Sequence, residues 1–214
     1  MWEIVPRPKD KSVVSSKWIF KTKHSVDGSI EKYKAIFVAH GFSQKEGIEY
    51  EETFAPIVRY TSNRTILSLA SNMKWKLHQT DVKTSFLNGL IEEEVYIKQP
   101  QGFETNDPET HVCKLNKSLY GLKQAPRAWY GRIYGFLINL GFTKSKEDFK
   151  LYYKYEGDGI MILLLYVDDI FLTGEDNPIN KCKKMFTTEF EMKDLGMMHY
   201  FLGLEYGSIQ TIFY

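Results

Sequence analysis

The chain has 214 residues, 43% of them hydrophobic and 26% charged, with a formal net charge of +1 at pH 7. These are ordinary values for a soluble protein with a sizeable core, in one large domain or two joined subdomains, and the near-neutral balance does not announce a nucleic-acid binder in bulk. The longest apolar run, Ile160 to Val167, falls far short of the roughly 20 residues needed to span a bilayer, and Met1 to Pro6 is no signal peptide, so the expectation is a soluble, intracellular chain with no membrane partner.

Along the chain, Lys17 to His24 and Ile30 to Phe42 are rich in β-branched and aromatic residues and flank Asp27-Gly28, a strong turn signal. They predict a β-hairpin, made basic by Lys17, Lys21, Lys23, Lys32 and Lys34. Thr61-Ser62 offers a cap for a helix whose stripe is Ile66, Leu69, Ala70 and Met73. Leu77 to Lys83 reads as a strand, Thr84 to Asn88 as a short helix or turn, and Glu94 to Gln99 as a short strand. Pro126 suits the first turn of a second helix ending at Gly141. Phe149 to Tyr155 and Ile160 to Val167 read as strands, with Ile170 to Thr173 as a return strand. Asn177-Pro178 opens a third helix, and Tyr200 to Tyr214 reads as a last strand pair. Strands and helices mix without regular βαβ alternation, which predicts an α+β fold: an antiparallel sheet with helices packed on one side.

Charge is uneven. Residues 1–45 carry nine Lys/Arg against four Asp/Glu and residues 114–150 eight against two, with acidic runs at Glu46–Glu52 and Glu92–Glu94 between them. That pattern suits a groove for a phosphate backbone, or a pair of solvated faces, and charge alone leaves both open. Cys113 and Cys182 lack the spacing of a zinc site or disulfide framework, which points to a reducing compartment.

The sharpest local anomaly is Tyr166-Val167-Asp168-Asp169-Ile170-Phe171, where two adjacent carboxylates interrupt an apolar stretch. Burying an unpaired carboxylate costs several kcal/mol. In a straight strand the two side chains would leave on opposite faces, so both reach one site only at a tight turn between strands. Adjacent acids have raised pKa values unless a cation intervenes, and magnesium favours such hard oxygen donors. An exposed β-turn, where Asp is common, is the competing reading. Asp81, near the end of a predicted strand, can supply a third carboxylate or serve as a helix cap.

Three stretches together resemble the copia-type class of LTR retrotransposon reverse transcriptases: Gln79-Thr80-Asp81-Val82-Lys83-Thr84-Ser85-Phe86-Leu87-Asn88-Gly89, the run Ser118-Leu119-Tyr120-Gly121-Leu122-Lys123-Gln124-Ala125-Pro126-Arg127-Ala128-Trp129-Tyr130, and Tyr166-Val167-Asp168-Asp169. Flanking matches extend the resemblance over nearly the whole chain. It implies an RNA-directed DNA polymerase: a palm with an antiparallel sheet and packed helices, a basic fingers hairpin, and a thumb absent or truncated. On this reading residues 1–75 are fingers-like and 76–205 palm-like, with a fingers insertion near 90–130. Asp81, Asp168 and Asp169 would be catalytic and would hold two Mg²⁺ (Mn²⁺ as substitute) with the Val82 carbonyl. Nucleotide contacts would come from Lys21, Lys23, Phe86, Gly121, Lys123 and Gln124, with Phe86 as a steric gate favouring dNTP; a core ring and solvated lysines are the competing readings. Leu202, Gly203 and Leu204 would grip the primer of an RNA- or DNA-templated duplex. Ile36 and His40 depart from the pattern, Ile36 standing where a triphosphate-binding arginine is expected. Such charge-assisted bonds are worth roughly 1.5–3 kcal/mol each, so an inactive relic, or a module that binds nucleic acid without catalysis, competes with an active enzyme. A metal-dependent nuclease using His78 is a further alternative.

Overall fold

The alternating segments on either side of Asp27-Gly28 form a hairpin in the computed structural model, which describes residues 1–25, 27–51, 53, 60–157, 159–198, 200–201 and 204–205. Along the chain the elements are β1 (Trp2–Pro6), β2 (Ser16–His24), β3 (Ile30–Ala39), α1 (Tyr60–Asn72), β4 (Lys76–Val82), β5 (Tyr96–Ile97), β6 (His111–Leu115), α2 (Ala125–Asn139), β7 (Thr143–Lys144), β8 (Leu151–Glu156), β9 (Gly159–Tyr166), β10 (Asp169–Gly174), α3 (Asp176–Glu189), β11 (Met192–Met197), β12 (Tyr200–Phe201) and β13 (Leu204–Glu205). Gly28 has φ +84°, the left-handed conformation that the hairpin loop demands. The fold is mixed α and β with antiparallel pairing throughout the named strands.

The chain divides into two units. The first comprises Met1–Ala55 and Phe86–Arg132. It holds the β2–β3 ribbon and a three-stranded sheet in the order β1-β6-β5. Its core gathers Val14, Phe37, Ile97, Cys113, Leu115, Leu119 and Leu122, with Trp2, Trp18 and Phe86 packed against it. The β1–β6 pairing, Trp2 opposite Leu115, joins segments more than a hundred residues apart and left no local trace in the sequence.

The second unit comprises Pro56–Ser85 and Ile133–Tyr214. Its six-stranded sheet runs β11-β4-β10-β9-β8-β7. Because β side chains alternate, this sheet has two apolar faces and needs cover on both. Ile66 and Ala70 of α1 pack with Leu77, Ile162, Leu164 and Phe171 on one face. On the other, Phe186 of α3 lies with Thr80 and Leu172, and Phe136 of α2 stacks edge-on against Phe186 and Phe190, each at 5.1 Å. The one-sided helical layer expected from the sequence is therefore corrected: β9 and β10 are buried almost throughout, a two-sided burial that their near-continuous apolar runs demanded.

Candidate active site

The antiparallel register of β4 and β10 sets Asp81 directly opposite Asp169. Asp169 in turn pairs with Tyr166 across the β9–β10 hairpin, leaving Val167 and Asp168 as a two-residue loop. Val167 has φ +53°. Positive φ at the first loop position, and not at the second, is the pattern of a type II′ turn, whose twist matches paired strands and which normally takes glycine there. The Val82 N–H donates to the Asp168 carbonyl at 2.8 Å, so the turn is tied by its backbone to the end of β4. Three carboxylates that are eighty-seven or more residues apart, or neighbours at a bend, thus come from adjoining backbone positions.

The electrostatics follow from this crowding. Burial pushes the Asp169 carboxyl up from its ordinary range, and the negative charges of Asp168 and Asp81 push it further. Opposing them, Gln79 Nε2 donates to Asp169 Oδ1 at 2.9 Å. Gln79 lies two residues before Asp81 and so shares its face of β4. Sequence reasoning gave Gln79 no role, although strand alternation alone could have suggested one. The oxygen-only donor set suits a hard divalent cation. Among the described residues, however, no three His, Cys, Asp or Glu side chains converge as a closed ligand group. Three like charges do not gather unaided; the donor chemistry fits the metal, and the convergence is not preformed.

Lys150 was also missed. Its side chain is only 4% exposed, its Nζ has no hydrogen-bond partner among the described residues, and it sits 4.9 Å from the Tyr166 ring centroid. Burial holds its pKa below the usual lysine range, partly offset by Asp148. His78 lies on the face of β4 opposite to Asp81, since the two are an odd number of residues apart. Its Nδ1 is 3.1 Å from Lys183 Nζ, and burial, then the Lys183 charge, hold its pKa down. Nothing in this arrangement puts an imidazole beside the aspartates, which removes the support for a nuclease.

The remaining expected residues belong to the first unit. Lys21 and Lys23 are exposed on β2, directly opposite Lys34 and Lys32. Ile36 pairs with Ile19 on that same ribbon face. Phe86, half-buried in a 3-10 turn at Ser85–Asn88, packs against the first core and meets Tyr120 edge-on at 5.2 Å. Gly121 has φ +90°, and a Cβ there would lie 2.1 Å from the Ala39 carbonyl oxygen, so the close backbone approach it permits is to the root of β3. Lys123 is exposed, and its N–H donates to Gln44 Oε1. Gln124 is 2% exposed; its Oε1 accepts from Gln44 Nε2 and its Nε2 donates to the Glu49 carbonyl. Leu204 lies in β13, whereas Leu202 and Gly203 lie outside the described residues.

Residues 1–213 match the family described as reverse transcriptase (RNA-dependent DNA polymerase). The chain belongs to that reverse transcriptase family. It is 42% identical over 98% of its length to the retrovirus-related Pol polyprotein from transposon RE1 of Arabidopsis thaliana, covering 14% of that protein. It is 46% identical over 95% of its length to that from transposon TNT 1-94 of Nicotiana tabacum, covering 16%. The RE2 polyprotein of Arabidopsis thaliana is 42% identical over 95% of the chain, of which 14% of the polyprotein is covered. This reverse transcriptase chain thus spans about a seventh of the curated relatives it matches, and by family it is an RNA-directed DNA polymerase of the copia-type retrotransposon class. No helix among its described residues is long and apolar enough to cross a membrane.

Proposed function

We propose that the chain carries out RNA-directed DNA synthesis, extending a primer 3′-hydroxyl with dNTP on an RNA or DNA template, through Asp81, Asp168 and Asp169. The observation that carries this reading is the cross-strand placement of Asp81 against Asp169, with Asp168 in the adjoining turn. These carboxylates, with the Val82 carbonyl, would hold two Mg²⁺, or Mn²⁺ in its place. When bound, such ions lower the pKa of the attacking hydroxyl and neutralise the triphosphate. The chain's own contribution is positional. The Val82–Asp168 backbone bond fixes the turn to β4, and the Gln79 amide holds the Asp169 carboxylate in one orientation. In-line transfer draws much of its rate from such fixed positioning. In the first unit, Lys21, Lys23, Phe86, Gly121 and Lys123 are proposed as nucleotide-facing, while Gln124, its amide engaged inside, would act by shaping the loop that carries Lys123. Leu202, Gly203 and Leu204 are proposed as primer contacts.

Ile36 favours a second reading. Its aliphatic pairing with Ile19 places a non-donor on the lysine face of the ribbon, which suits a relic that binds nucleic acid without extending it. Primer extension on an RNA template with Mg²⁺ or Mn²⁺ separates the two. The polymerase reading expects extension by the wild type and its loss, by at least about a hundredfold, in Asp168→Asn, as for groups that position transition-state charge. Binding without extension, unrescued by Ile36→Arg, would overturn it in favour of the relic.

A further inference from the structure

Gln44 and Gln124 stand 80 residues apart, and both side chains are buried in the first unit. A buried primary amide is costly unless its carbonyl and its N–H groups both find partners. Here they are satisfied in one directed chain. The Lys123 N–H donates to Gln44 Oε1 at 2.9 Å, Gln44 Nε2 donates to Gln124 Oε1 at 3.1 Å, and Gln124 Nε2 donates to the Glu49 carbonyl at 3.2 Å. A backbone donor at one end and a backbone acceptor at the other admit a single orientation of each amide.

The chain of bonds ends on an exposed cation. Leu122 and Gln124 are sunk on either side of Lys123, which alone of the three reaches solvent. Its ammonium belongs to none of the ion pairs among the described residues. The loop that carries it lies against the root of β3: the Ala39 N–H donates to the Tyr120 carbonyl at 2.8 Å, and a Cβ on Gly41 would lie 2.0 Å from the Gly121 carbonyl oxygen. Gln44 closes the Gly41–Ser43 turn that follows, its N–H donating to the Gly41 carbonyl. At the other side, the Gln124 carbonyl accepts the Ala128 N–H and so opens α2. The Gln44 side chain therefore ties the segment leaving the ribbon to the loop entering α2. A lysine stem is flexible, so the reach of its ammonium is set by where its backbone is held. A brace serving the fold alone could be apolar, since facing apolar groups of the same shape are nearly as stable as a hydrogen-bonded pair. A relay of fixed polarity that ends on the backbone of one exposed lysine fits a task of orientation.

We propose that Gln44 is a positioning residue for nucleotide use, fixing through the Lys123 N–H the point from which that ammonium reaches an anionic triphosphate. For the identity of the nucleotide it rests on the polymerase reading, and the test separates the two. Primer extension and, independently, calorimetric binding of Mg²⁺–dTTP are measured on the full chain at pH 8 and pH 6. Gln44→Glu keeps the length and loses the donor to Gln124; at pH 8 the KM for dTTP should rise about tenfold while kcat changes less than about threefold. Lys123→Ala should raise KM similarly, and adding Gln44→Glu to it should raise KM by less than about a further twofold, because both changes remove one interaction. Once protonated, the introduced carboxyl can accept from the Lys123 N–H and donate to Gln124 Oε1, so the penalty should shrink at pH 6 relative to the wild type. Gln44→Met loses both bonds without burying a charge. It should show the KM rise at both pH values, and it decides the matter if Gln44→Glu is poorly folded by differential scanning fluorimetry. An unchanged KM in these variants, a Gln44→Glu penalty that ignores pH, or a full-sized Gln44 effect in the Lys123→Ala background would overturn the proposal and leave the polymerase standing. The same pattern in dTTP binding, from a chain that extends no primer, would sustain the positioning role and sink the polymerase. A wild type that binds no dTTP would overturn the proposal outright.

Discussion

Valine at position 167 occupies a backbone conformation, φ +53°, that a β-branched side chain rarely tolerates. The strain is held by the pairing on either side of it and by the Val82–Asp168 bond. Gly121 illustrates the opposite case, a residue fitted to its conformation. Gly121→Ala would combine left-handed backbone with a Cβ 2.1 Å from the Ala39 carbonyl oxygen and is expected to cost roughly 2–4 kcal/mol. Gly47→Ala is the internal control: φ there is +75° but nothing lies within 4 Å of the added carbon, so about 1 kcal/mol is expected. Urea midpoints of the two variants decide the matter. Equal losses would mean that the contact at the root of β3 yields freely. Neither penalty could be read from the sequence, where Gly121 stood only as a nucleotide contact implied by the resemblance, with no sign of what packs against its backbone.

Elements were legible where their signals are local. Asp27-Gly28 between two alternating segments produced the ribbon, and the paired acids required a bend between β9 and β10. What the sequence could not supply was long-range register, such as Asp81 opposite Asp169 or β1 against β6, because pairing across eighty or more residues leaves no periodic trace. The same limit hid Lys150, which begins at the edge of β8 and meets Tyr166 only once β8 and β9 are aligned. Its sign can be worked out. A lysine whose folded pKa is depressed holds its proton less firmly folded than unfolded. Between the folded pKa and the ordinary 10.5, the unfolded chain is therefore the better proton binder, and stability rises with pH through that window. Lys150→Met keeps the length, drops the buried charge, and should be at least as stable as the wild type at pH 7, with the alkaline rise removed. Urea titrations at pH 7 and pH 10 measure both. A loss above about 1 kcal/mol at pH 7 would show instead that the ammonium–ring contact outweighs the cost of burial.

At the scale of the whole molecule, the crowding of Asp169 by two neighbouring carboxylates is a liability that a bound divalent ion would relieve. Asp168 and Asp81 both raise the energy of a charged Asp169, and no basic side chain is paired with Asp169 among the hydrogen bonds and ion pairs of the described residues. Sites of this kind trade stability for function. Without divalent ions, Asp168→Asn should therefore be as stable as the wild type or more so. Added Mg²⁺ should reverse the order, because an ion that binds only the folded chain stabilises it by about 1.4 kcal/mol at ten times its dissociation constant. For a chain of this size that is roughly 3–6 °C in Tm. Differential scanning fluorimetry with Mg²⁺ titrated at constant ionic strength, on wild type, Asp81→Asn, Asp168→Asn and Asp169→Asn, makes the comparison. A shift confined to the wild type ties the ion to all three acids at once. An equal shift in every variant would place the ion elsewhere and leave the cross-strand carboxylates without the partner proposed for them.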